Sequence, residues 1–285
     1  VGSEMCIRDR KILIIAVLCT CLYIFITILK FRPVYIPLKK PEIFKNKVVV
    51  STSTIPSRTP NLQRFLTDLE SQTQHPDIVY INIPYYSKRE KCPYVIPTLT
   101  SKLNVIIQRC TDHGPLTKLL PVATSNDLDP NDIIITLDDD QQYDPNLIKN
   151  MVDAMQTFPA NCITFAGWNY LKIPIVNLMV YTYLIRNSYV DALEGFSGTG
   201  YRRRFFSEDF GDYKKCKSCF TVDDVYISMY LTRKKVRIIS LKYKDNDGKS
   251  TIKDCRLSNP LCDINILGSA CRDGILEMEE MEEME

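Results

Sequence analysis

The sequence predicts an α/β fold of Rossmann type: a mainly parallel central sheet with helices on both faces, preceded by an N-terminal transmembrane helix. Three observations predict it. Short apolar runs bounded by turn residues alternate with segments whose apolar residues recur every three or four positions, the pattern of strand and helix units. The acidic triplet Asp138-Asp139-Asp140 stands directly behind the apolar run Ile133-Ile134-Ile135-Thr136-Leu137, and open α/β sheets present ligands at the carboxyl ends of their strands. Ile12 to Leu29 carries no charge and is close to the length that crosses a bilayer as a helix.

Residues 1–11 show no usable pattern and stand outside the fold argument. Residues 12–29 are expected to be an uncleaved membrane anchor, because Lys30, Phe31 and Arg32 follow the apolar run where a signal peptide would carry small residues. Arg8, Arg10 and Lys11 on one flank and Lys30, Arg32, Lys39 and Lys40 on the other leave the orientation open. Residues 30–47, rich in Pro and Lys, read as a stem.

The catalytic domain is expected to span 48–272. Val48, Val49 and Val50 form a buried strand, followed by the turn-forming stretch 51–58. Leu62, Phe65, Leu66 and Leu69 mark one helix face. Ile78–Ile83 and Asn104–Gln108 are two further strands, Leu119–Ala123 belongs to a helix, and Ile133–Leu137 is the strand that delivers the triplet. Asp144 is expected to cap a helix with Pro145 in its first turn and Leu147, Ile148, Met151, Val152 and Met155 on its apolar face. The apolar, aromatic region from Cys162 to Val190 suits core or an acceptor-pocket wall. Val225 to Leu231 is helical, and residues 273–285 form an acidic Met/Glu tail.

Lys and Arg number 36 against 34 Asp and Glu, a net charge of +2. Bulk electrostatics therefore gives no case for a nucleic-acid partner. Of eleven cysteines, Cys6, Cys19 and Cys21 lie in or beside the expected span. The other eight permit disulfides in an oxidising lumen, reduced core thiols, or, at Cys216 and Cys219, a CxxC site.

Three adjacent carboxylates at the end of an apolar strand repel one another and call for a cation or hydrogen-bonded partners. Hard oxygen ligands suit Mn2+ or Mg2+, and such ions keep positions open for substrate phosphates. On these residues the chain resembles the GT-A glycosyltransferases, especially the inverting family 2-like enzymes, over roughly Val48 to Leu241. Asp138-Asp139-Asp140 is the DxD signature. The blocks around it stand in the family's order.

The resemblance implies a nucleoside-diphosphate sugar as donor. It implies that Thr52, Thr54 and Arg58, in the loop after the first strand, wrap the nucleoside. In Asp112-His113-Gly114-Pro115-Leu116-Thr117-Lys118, Asp112 would read the base edge and Lys118 would face phosphate. Asp138 and Asp139 belong to the donor side, and Asp138 and Asp140 would hold the metal. Gly198, in the glycine-punctuated loop 193–203, would close over the donor sugar, and one of Arg202, Arg203 and Arg204, Arg202 first among them, would pair with phosphate. Asp223-Asp224 matches the family's late acidic pair, with Asp224 as general base. The acceptor would be a glycan, lipid or protein hydroxyl, and in a eukaryote the location would be the Golgi or ER lumen.

The pair is Asp-Asp rather than the commoner Glu-Asp, no His follows His113, and no Gln-x-x-Arg-Trp block occurs. Processive polymer synthesis is therefore disfavoured. Two further readings remain: a nucleotidyl or phosphoryl transferase on the same fold, and a catalytically inert membrane-anchored sugar-binding module.

Overall fold

Two runs of β-branched residues make the centre of the molecule. A computed structural model describes residues 14–23, 25, 34, 46–172, 177–180, 187–215 and 222–241. In it, β1 (Val48–Ser53) and β6 (Ile133–Thr136) pair in parallel, Val48 against Ile133 through Ser51 against Thr136. The side chains of Val49, Val50, Ile134 and Ile135 are fully buried. Strands with this near-continuous apolar character suit a sheet covered on both faces.

β2 (Ile78–Pro84) pairs in parallel with β1, and β5 (Val105–Cys110) in parallel with β2. β5 starts one residue later and ends two residues later than the pattern predicted. It is an edge strand and only partly buried, so its apolar alternation is weak. On the other side of β6 the chain does something its pattern does not announce. β12 (Thr199–Arg202) runs antiparallel between β6 and β7 (Cys162–Thr164). β13 (Ile238–Ser240) then pairs in parallel with β7, and β10 (Ser188–Val190) antiparallel with β13. The eight-stranded order is β10-β13-β7-β12-β6-β1-β2-β5, with only β10 and β12 opposed to the rest. The fold is a mixed α/β structure built on a large, mostly parallel sheet.

The region 162–190 also contributes β8 (Gly167–Lys172) and β9 (Asn177–Val180), which pair with each other and, through β8, with β11 (Ala192–Leu193). β3 (Tyr86–Ser87) and β4 (Cys92–Pro93) form a small ladder beside β2.

Helix α1 (Leu62–Glu70) buries Leu62, Phe65, Leu66 and Leu69, the face its spacing predicts. Each such side chain contributes on the order of 2 kcal/mol through removal of apolar surface from water. The short α2 (Leu120–Ala123) precedes β6, and α3 (Leu147–Thr157) follows the triplet with Leu147, Ile148, Met151, Val152 and Met155 buried. Asp144 does not cap α3. Asn146 precedes the helix, while Asp144 Oδ1 accepts from Asn146 N at 2.8 Å and its carbonyl from Leu147 N at 3.0 Å. An Asp-Pro-Asn sequence favours this turn over direct helix entry. Helix α4 (Asp223–Arg233) carries the second acidic pair at its first two positions.

Residues 14–23 are helical, with Ile14, Ile15, Val17, Leu18 and Leu22 exposed. No helix among the described residues is long and apolar enough to cross a membrane. The remainder of 12–29, most of the stem, residues 242–272 and the tail 273–285 lie outside the described residues. Cys92, Cys110 and Cys162 are free thiols, the reduced alternative among those the sequence left open, and burial raises both Cys110, to about 11, and Cys162. Cys216, Cys219, Cys255, Cys262 and Cys271 lie outside the described residues.

Candidate active site

β6 ends in the middle of the sheet and releases Asp138, Asp139 and Asp140 at its carboxyl edge. Their loop is held from behind. Tyr143, buried, accepts from the Asp138 backbone N–H at 2.8 Å and donates to the Phe196 carbonyl at 3.0 Å. One phenol thus ties the triplet to the glycine-punctuated loop after β11. Burial raises its pKa well above the usual phenol range, so it stays a neutral donor.

The three carboxylates have different surroundings. Asp138 Oδ1 lies 2.9 Å from Lys118 Nζ, and that same ammonium lies 3.3 Å from Asp223 Oδ2. Asp139 is buried, accepts from Thr54 Oγ1 at 2.5 Å and lies 3.3 Å from Arg58. Burial pushes its carboxyl up to about 6 despite Arg58 and Thr54. Asp140 pairs with the same guanidinium. Asp139 is therefore the internal member that fixes Thr54 and Arg58, while Asp138 and Asp140 remain partly exposed, at 27% and 14% of their side-chain surface.

Lys118 is the hub between two parts of the chain far apart in sequence. Burial alone would lower its pKa, but Asp138, Asp223 and Asp224 together hold it well above the usual lysine value. The Ser51 hydroxyl donates to its carbonyl at 2.6 Å, and Asn82 Nδ2 donates to Ser51 Oγ at 2.9 Å and to the Thr52 carbonyl at 3.2 Å. A buried polar chain from β2 through β1 thereby sets the Lys118 backbone.

Asp224 Oδ1 accepts from the Gly195 backbone N–H at 3.0 Å. A side chain at 195 would not fit: a Cβ there would stand 2.8 Å from Asp224 Oδ1 and 2.9 Å from Lys118 Nζ. Burial, and then the neighbouring Asp223, push the Asp224 carboxyl well above the usual range, opposed by Lys118 and the Gly195 amide. Glu194, which precedes Gly195 in the chain, is raised by burial to about 7. Gly198, with φ 88°, turns the chain into β12 where a Cβ would press on Leu137 at 3.1 Å.

Arg58, Lys118, Asp138, Asp139, Asp140, Asp223, Asp224 and Thr54 are thus brought together. Thr52 is buried beneath them, its hydroxyl 3.4 Å from the Ser53 carbonyl and its own carbonyl held by Asn82. Asp112 stands aside as a loop organiser: Oδ1 accepts from Gly114 N at 2.8 Å and Oδ2 from Lys88 N at 2.7 Å. Arg202 is not in the cluster. It lies in register with Ile133, at the opposite end of β6, and donates to the carbonyls of Asn131 at 2.5 Å and Met155 at 3.0 Å. This placement contradicts the phosphate role expected of it: the guanidinium is buried at the far end of β6, turned to two carbonyls, with its Nε left without a hydrogen bond.

Tyr143, Asn82 and Tyr94 are site residues that the sequence did not single out. Tyr94 donates to the Thr54 carbonyl at 2.9 Å, and Glu90 accepts from Ser57 N and Oγ at 2.9 and 2.5 Å. The β3–β4 ladder thereby clamps the loop that carries Arg58. No local motif marks these partners: apart from the Tyr143 contact with Asp138, five residues away, their contacts join residues 30 or more positions apart.

No family model matches the chain, and a search of curated proteins finds no significant match. The chemistry must be read from the cluster itself. Five carboxylates face the two cations Lys118 and Arg58, and Asp223 Oδ2 is buried with no hydrogen bond despite its ion pair. Among the described residues, Asp138 Oδ2 and Asp140 Oδ1 have no partner. No three acidic, His or Cys side chains converge as a ready metal centre among the described residues. An excess of carboxylate with two open oxygens fits a divalent cation of the kind held by one or two carboxylates, water and substrate phosphate.

Proposed function

We propose that the chain is a metal-assisted GT-A glycosyltransferase that moves a sugar from a nucleoside-diphosphate sugar to an acceptor hydroxyl with inversion. Residues 12–29 serve as its membrane anchor. The observation that carries this reading is the Lys118 bridge. It joins the acidic triplet at the end of β6 to the acidic pair at the start of α4, so that an acidic edge and a proton acceptor share one site.

Asp138 and Asp140 would hold Mn2+ or Mg2+, and the bound ion would supply Lewis-acid stabilisation of the departing diphosphate. The chain's own residues do the rest. Asp224, oriented by the Gly195 amide, takes the proton of the acceptor hydroxyl. The acceptor oxygen forms a bond to the anomeric carbon as the bond from that carbon to the diphosphate oxygen breaks, and the electron pair leaves with the nucleoside diphosphate. Lys118 keeps Asp223 and Asp224 beside Asp138 and offsets their mutual repulsion. Arg58 holds Asp139 and Asp140 in place and stands where a phosphate would approach.

A nucleotidyl transferase with one metal in each acidic cluster is less well supported, because the Lys118 ammonium occupies the space between the clusters. A screen of nucleotide sugars for manganese-dependent hydrolysis tests the proposal. Release of sugar and nucleoside diphosphate from one donor is expected. Pyrophosphate release from a nucleoside triphosphate would favour the nucleotidyl reading, and no turnover of any donor would favour an inert module.

A further inference from the structure

The way the stem meets the sheet bears on what the acidic edge faces. Val34 N donates to the Asn187 carbonyl at 3.1 Å, and Val34 packs half-buried against the core. Asn187 directly precedes β10. From there one row of residues crosses the sheet in register: Ser188 with Ser240, Ser240 with Thr164, Thr164 with Thr199, and Thr199 with Thr136. The row follows the carboxyl edge and spans four strand spacings, roughly 19 Å at ~4.8 Å each. Asp138 begins two residues beyond Thr136. The chain therefore arrives from its N-terminal apolar segment on the same edge that carries the acidic cluster.

The tether is short. The apolar stretch ends at Leu29, and five chain steps to Val34 reach at most about 17 Å fully extended. A second feature points the same way. Asp191 N donates to the Trp168 carbonyl at 3.1 Å, and Asn169 Nδ2 to the Tyr189 carbonyl at 3.2 Å. β8 thus runs antiparallel to the 189–191 segment and brings its end, where Lys172 pairs with Asn177, level with Asn187 on the carboxyl edge. Tyr170 pairs with Met179 and Leu171 with Leu178.

We propose that the carboxyl edge of the sheet faces a lipid bilayer, with the β8–β9 ladder seated in the headgroup layer beside the Val34–Asn187 corner. This rests on residues 12–29 being a membrane anchor. The bilayer is the occupant because the tether leaves at most about 17 Å between its surface and that corner. Membrane-borne hydroxyls are then the acceptors nearest Asp224.

The chain holds a single tryptophan, Trp168, which serves as a probe. The full chain is reconstituted in phosphatidylcholine vesicles carrying brominated acyl chains, and tryptophan emission is read for three proteins. These are the unmodified chain, W168F/L178W with the probe on β9, and W168F/N104W with the probe at the exposed opposite edge, where the Asn104 carbonyl accepts from Val79. The expected result is loss of most emission for W168F/L178W, a smaller loss for the unmodified chain, and none for W168F/N104W. A chain that carbonate washes off the vesicles overturns the anchor and this inference together. A retained chain whose emission is equal in all three, or is lost most in W168F/N104W, overturns the inference and leaves the anchor standing.

Discussion

Replacing Gly195 by alanine separates catalytic positioning from folding. The glycine is not needed for its dihedral freedom, because its φ lies outside the left-handed region. It is needed for room. The added Cβ would stand 2.8 Å from Asp224 Oδ1 and 2.9 Å from Lys118 Nζ. Relief to ordinary contact requires each group to move by roughly 0.6–0.7 Å, since non-bonded contacts are comfortable near 3.5 Å. That displacement stretches the 3.0 Å bond from the Gly195 amide to Asp224 and shifts the carboxylate proposed as general base. A hydrogen bond to a charged group contributes about 1.5–3 kcal/mol, and misplacement of this order can slow a reaction up to about 100-fold. The expected outcome for Gly195→Ala is a 10- to 100-fold fall in kcat, with donor KM within about threefold and a melting temperature lowered by only a few degrees. Kinetics with a saturating nucleotide sugar and a circular-dichroism melt would measure both. An alanine variant with unchanged kcat would refute the assignment of Asp224 as a residue whose position governs turnover.

Three further outcomes follow from the same geometry. Glu194 has a folded-state pKa of about 7 against 4.5 for the free side chain, so the native state retains a proton that the unfolded chain releases as pH rises from about 4.5 to 7. Stability must fall across that window, and Glu194→Gln should gain on the order of 2–3 kcal/mol at pH 8 relative to pH 4; denaturant midpoints that do not diverge with pH would count against the burial assigned to it. Tyr143→Phe leaves the Asp138 amide and the Phe196 carbonyl without their shared partner, and should cost about 1–3 kcal/mol of stability together with a drop in kcat. Arg202→Met should destabilise by about 3 kcal/mol through two orphaned carbonyls yet leave donor KM unchanged; a large rise in KM with intact stability would restore the phosphate role.

Particular residues show how far the sequence could be read. Val48–Val50, Ile133–Ile135 and the Leu62–Leu69 face follow single-element periodicities, and each lies where its spacing predicts. The triplet was legible because an apolar strand delivers it to an edge. Arg202 was misread since an arginine beside a glycine-rich loop looks the same whether its guanidinium meets phosphate or buried carbonyls. β12 had no signal of its own: its insertion between β6 and β7 depends on pairings with Thr136 and Thr164, residues 63 and 35 positions away. Lys118 was placed in the site, but its role as a bridge needed Asp138 and Asp223 to be seen together. Asp144 lost its capping role to a local turn that Pro145 favours.

The central claim is that Asp224 acts on the acceptor while Asp138 and Asp140 hold the donor through a divalent ion. Calorimetric binding of the nucleoside diphosphate with Mn2+, measured beside turnover on Asp224→Asn and Asp140→Asn, tests it most directly. Asp224→Asn should bind the nucleotide as the unmodified chain does and lose turnover, whereas Asp140→Asn should lose manganese-dependent binding as well. Turnover surviving in Asp224→Asn, or manganese-dependent binding surviving in Asp140→Asn, would contradict the account.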